Sequence, residues 1–131
     1  VEIEIDESEW PVVVVRWRGR PSDASLVAGL ARMDGWLARG ERFAMIVDTR
    51  GGEGLTPEQR RMLLAHMKRN VELNTKSLVQ AFVANDLLSR SLYWGVQLLM
   101  PSPFPSKVFR ELDAARAWAI ETLGGRVASP E

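Results

Sequence analysis

Cysteine is absent from the chain, and histidine occurs once, at His66. Without cysteine there are no disulfides, no thiolate metal sites and no thiol nucleophile. A reducing cytoplasm is the simplest compartment for such a composition. Excess charge is missing as well: 17 basic and 17 acidic side chains cancel. A chain balanced in this way has neither a basic surface built for phosphate backbones nor an acidic solvating tail, so nucleic acid is not an expected partner. No apolar run approaches the roughly 18 residues of a membrane span. The opening VEIEIDESEW is acidic and alternating, unlike a signal peptide. It begins on Val rather than Met, as expected of a sequence that starts inside a native chain or at a processed end. One histidine, no serine in a nucleophile elbow and no clustered carboxylates leave no catalytic set in view. No metal or cofactor is expected.

What is present describes one soluble domain. The chain has 131 residues, 46% of them hydrophobic and 26% charged, which is enough to bury a core without staples. Val1, Ile3 and Ile5 alternate with acidic residues at the period of a half-buried strand. After Trp10-Pro11, VVVVRWRG resumes as a second strand, with Val13, Val15 and Trp17 on one face and Val12, Val14, Arg16 and Arg18 on the other. Its arginines are expected to line the polar face of an outer strand rather than to bind nucleic acid. The stretch 21–40 reads as a helix capped by Ser22 or Asp23, with Leu26, Leu30, Met33 and Leu37 on one face and Gly40 past its end. RFAMIVDT follows as a buried strand and SLVQAFVA as the next. Further helices are expected from Thr56 to about Leu73, over 87–100, and from Glu111 to Gly124-Gly125, with a short strand KVF before the last. The expected fold class is therefore α/β. It has a single mixed sheet with an initial β-hairpin and four helices in the order β-β-α-β-α-β-α-β-α, occupying residues 1–125, and a loose tail over 126–131.

The glycine-rich stretch GGEGLTPEQ invites comparison with a phosphate-binding loop. It lacks the lysine of a Walker loop and the spacing of a dinucleotide loop, and it places Glu53 where a phosphate would be repelled. A capping box accounts for it better: Thr56 at the N-cap, Pro57 at the first helical position and Gln59 at the third. Thr56 also stands where a regulatory hydroxyl would, at a helix tip whose dipole favours phosphate while Glu53 and Glu58 oppose it. His66 falls on the apolar side of this helix, one turn from Asn70, and is expected to be a hydrogen-bonded core residue. In the 87–100 helix, Leu88, Leu92, Val96 and Leu99 form the core stripe. Arg90, Tyr93, Trp94 and Gln97 lie on or beside the opposite arc, and the extended PSPFP holds Phe104 next to them. These five residues are the expected interaction surface.

FAMIVDTRGGEGLTPEQRR, then LVQAFVAND-LLSR, then YWGVQLLMPSPFPSKVFRELDAARAWA together resemble the SpoIIAA-like members of the STAS/SEC14-type superfamily. The strand ending in Asp, the Arg near the start of the 87–100 helix, the Pro-rich link and VF-x-x-L-x-x-A-x-x-W fall in the family's order. The resemblance covers nearly the whole chain. It implies a STAS-like domain and a bacterial, cytoplasmic, non-enzymatic module that binds a protein partner in signalling. Anti-sigma antagonists of this group are switched at a Ser or Thr after the strand matching 43–48, in a D-S-x-G-type turn; here the matching tip is EGLTPEQ, with Thr56 and no Asp-Ser pair. The SEC14-like branch implies instead an apolar ligand or lipid in a groove. Self-association is a further expected mode, and an enzyme is the third expectation.

Overall fold

The computed structural model describes residues 3–74, 78–86 and 104–128. Strand β1 (Ile3–Glu9) turns at Trp10-Pro11 into β2 (Val12–Gly19), then come α1 (Asp23–Ala38), β3 (Phe43–Gly52), α2 (Pro57–Asn74), β4 (Leu78–Val83), β5 (Ser106–Phe109) and α3 (Leu112–Ala128). The sheet runs β1-β2-β3-β4-β5. Only β1 is antiparallel to its neighbour; β2, β3, β4 and β5 pair in parallel, with Val14 opposite Ile46 and Ile46 opposite Ala81. Mixed α/β architecture and the antiparallel edge are as expected. The helix expected over 87–100 lies outside the described residues.

Strand order that follows chain order has a geometric consequence. Each parallel step moves to the next neighbour in the same direction, so right-handed crossovers put α1 and α2 on one face. On that face Val13, Val15, Phe43, Met45, Val47 and Leu78 pack with Met33, Trp36 and Leu37 of α1. On the other face Val12, Val14, Ala44, Ile46, Val79, Ala81 and Val83 meet Ala115 and Ala119 of α3. The two alternating sets of β2 valines therefore serve two different layers, which is why the run VVVV shows no polar gap.

Four readings need correction. First, β2 is an inner strand, because β1 takes the edge; Arg18 answers Glu4 across that pair at 3.0 Å. Second, β3 does not stop at Thr49 but runs to Gly52, since Gly51 and Gly52 still pair with Arg18 and Gly19. Third, Trp36 is buried in α1 while Leu30 is only half-buried. Fourth, α3 passes Gly124-Gly125 and reaches Ala128. A glycine ends a helix by adopting positive φ, and among the described residues only Gly19 and Gly40 do so. Gly40, at φ 73°, does end α1 as expected, and Ser22 starts it by accepting from the Ser25 N–H at 3.1 Å.

Candidate functional site

The carboxyl end of β3 and the start of α2 hold a set of fixed polar contacts. Asp48 is buried at the end of the central apolar run. Two residues on, and so on the same side of the strand, Arg50 donates to both its carboxylate oxygens at 2.9 Å, and the Arg50 backbone N–H adds a third bond at 3.1 Å. Burial pushes the Asp48 carboxyl up, but these hydrogen bonds and the charges of Arg50 and Arg16 outweigh it and hold the group below the usual carboxylate range. Thr49 points the other way and donates its hydroxyl to the Val83 carbonyl at 2.9 Å.

The glycines that follow answer a packing need. A Cβ on Gly51 would lie 3.0 Å from the Trp17 carbonyl oxygen, and one on Gly52 would lie 3.0 Å from the Trp17 Cβ. Their close approach lets β3 stay paired with β2 past the irregularity at Trp17. The Glu53 N–H then closes on the Gly19 carbonyl at 3.0 Å, and Arg20 donates to the Gly54 carbonyl at 2.8 Å. This stretch is strand and strapped turn.

Thr56 and Gln59 form the expected capping box in both directions. The Gln59 N–H donates to Thr56 Oγ1 at 3.1 Å, and the Thr56 N–H donates to Gln59 Oε1 at 3.1 Å. Gln59 goes further than its position in the sequence foretells. Its side-chain amide is buried and donates to the Pro21 carbonyl at 2.8 Å and to Asp23 Oδ1 at 3.0 Å. One side chain thus joins the first turns of α1 and α2.

A second tie lies two turns along α2. His66 is buried as expected, and Asp34 of α1 is a partner across the helix pair, with Nε2 2.7 Å from Oδ1; the side chain of Asn70 lies outside the described residues. Arg69 flanks the same carboxylate at 3.8 Å. Residues 32 apart in sequence carry no local signal for such a pair. Among the described residues no group of three or more His, Asp and Glu side chains stands close enough to hold a metal ion.

Of the expected interaction surface, Arg90, Tyr93, Trp94 and Gln97 lie outside the described residues. Phe104 is half-buried and packs against the apolar layer that α1 covers. Thr56 is half-buried at the cap. Among the described residues, no helix is long and apolar enough to cross a membrane.

No family model matches the sequence. Nor does any curated protein. Solved structures do match. An uncharacterised protein with a SpoIIAA-like fold from Shewanella loihica is 14% identical with a TM-score of 0.67, over 89% of this chain and 91% of that one. The anti-sigma factor antagonist SpoIIAA in its unphosphorylated form is 10% identical with a TM-score of 0.62, over 88% and 96%. An anti-sigma factor antagonist from Mycobacterium paratuberculosis is 14% identical with a TM-score of 0.54, over 89% and 92%. Over the 88–89% of the chain that these structures cover, then, its fold is SpoIIAA-like.

Proposed function

We propose that the protein is a non-enzymatic STAS-like signalling module that works by binding another protein, and that the start of α2 controls the contact. The observation that carries this reading is the position of Thr56. Its half-buried hydroxyl caps α2 just beyond the end of β3, on a fold shared with two anti-sigma factor antagonists. One of those neighbours is described in its unphosphorylated form, so phosphorylation has a precedent on this architecture. A phosphoryl group on Thr56 would gain from the α2 dipole and lose to Glu53 and Glu58. Arg90, Tyr93, Trp94, Gln97 and Phe104 are proposed as the contact surface, because aromatic and arginine side chains dominate interface energetics.

Asp48 is locked by Arg50, and His66 is engaged by Asp34. The test is quantitative capture of a binding protein by the wild type, Thr56→Asp and Trp94→Ala, with thermal stability measured in parallel. Expected is a partner held by the wild type and released by either substitution at nearly unchanged stability. A partner bound equally by all three would overturn the assignment of the surface. A lipid retained in native mass spectrometry, with no protein partner, would move the function to an apolar ligand.

A further inference from the structure

Two buried polar side chains of α2, Gln59 and His66, bond across the seam to α1. Gln59 has 3% of its surface exposed and His66 has 5%; they are the buried residues among 57–69 of α2. At the amino-terminal end of this seam the contact depends on Gln59, whose amide is used at both ends. Oε1 receives the Thr56 N–H, while Nε2 gives its hydrogens to the Pro21 carbonyl and the Asp23 carboxylate. Pro21 itself is fully buried.

We propose that Gln59 is a relay between the Thr56 hydroxyl and the opening turn of α1, so that whatever takes Thr56 Oγ1 away from its cap also loosens the seam at that end. The Gln59 N–H depends on Thr56 Oγ1 for its acceptor. When that acceptor is withdrawn, the first turn of α2 frays and carries the Gln59 side chain with it. A buried amide cannot exchange its partners for water one at a time, because each half-made state leaves polar groups desolvated. The bonds to Pro21 and Asp23 therefore open together with the cap. Further along, His66 and Asp34 remain closed at 2.7 Å and confine the opening to the end near Thr56. The local opening needs no change in the sheet, whose described core on this side packs with Met33, Trp36 and Leu37 of α1.

This deepens the reading of Thr56 as the control point, but it concerns the free protein, so its test is separate from partner binding. The experiment is amide hydrogen exchange by NMR on the full chain for wild type, Thr56→Val, Thr56→Ser and Gln59→Glu. The reporters are the Leu26 N–H, which donates to the Ser22 carbonyl at 3.0 Å, and the Gln59 side-chain amide, with Ile46 in β3 as the control. Thr56→Val is expected to speed exchange at both reporters about tenfold with Ile46 unchanged, and Thr56→Ser to restore the wild-type rates. Gln59→Glu keeps an acceptor for the Thr56 N–H but removes the donors to α1. It is expected to release Leu26 while the Thr56 amide stays protected. If Thr56→Val speeds only backbone amides of α2 and leaves Leu26 at its wild-type rate, there is no relay. Should Thr56→Val fail to fold, Gln59→Glu decides alone: an unchanged Leu26 rate overturns the proposal.

Discussion

Helices α1 and α2 follow successive parallel strands and lie on the same face of the sheet, yet they are held differently. Helix α1 buries Leu26, Met33, Trp36 and Leu37, and Trp36 meets Phe43 edge-on at 6.2 Å. Among its residues 57–69, α2 buries Gln59 and His66, each bonded to α1. Apolar burial is non-directional and tolerates small movements. A buried hydrogen bond is all or nothing in its geometry, and losing one partner strands the other. The first helix is thus an anchor and the second a latch, and the latch is the one that begins at Thr56.

Substitutions at Trp36, Gln59 and Thr56 probe that division, with Asp48 as a reference outside both helices, from the largest expected effect to the smallest. Trp36→Ala removes a large side chain from the anchor and is expected to cost about 3–5 kcal/mol in urea unfolding, like other aromatic truncations in cores. A loss under about 1 kcal/mol would erase the contrast between the helices. Gln59→Ala strands the Thr56 N–H and the Pro21 carbonyl and is expected to cost about 2 kcal/mol, with the change concentrated in α2 by hydrogen exchange.

Asp48→Asn tests a polar tie that involves neither helix, and its expected cost at pH 7 is about 1.5 kcal/mol. The sign of its pH dependence follows from the depressed pKa of Asp48. The ion pair's contribution is present above the unfolded-state value of about 3.9 and is lost as pH falls through the lower folded-state value. The stability gap between wild type and Asp48→Asn should accordingly narrow on acidification below about pH 4. A gap that stays constant down to pH 2 would mean that Asp48 does not titrate as a member of that pair. Thr56→Ala is expected to cost about 1 kcal/mol as a lost cap, and Thr56→Asp, which still caps, only a few tenths.

The same contrast separates what was legible in the sequence from what was not. Local features were readable because their partners are three or four residues away. Ser22 and Gly40 bracket α1, and T-P-E-Q announces the reciprocal bonds of Thr56 and Gln59. Period and branching placed the β2 valines on their two faces. Asp48 and Arg50 sit two apart on a strand, a spacing that puts them on one side and from which their pairing was open to inference. Contacts that close across the fold left no such trace. Gly51 and Gly52 look like a loop until the neighbouring strand puts Trp17 against them. Gln59 looks like a helix cap until Pro21 and Asp23 arrive from 38 and 36 residues away. His66 and Asp34 meet only because two crossovers share one face.

Native-state hydrogen exchange in low urea tests the anchor and latch most directly. The amides to follow are those of α2 between Arg60 and Arg69, those of α1 between Met33 and Leu37, and Ile46 in β3. Expected is that the α2 amides exchange through a local opening with little urea dependence and a lower free energy, while the α1 amides join Ile46 on the steep global isotherm. If α1 and α2 fall on one isotherm at all urea concentrations, α2 is anchored as firmly as α1, and the latch does not exist.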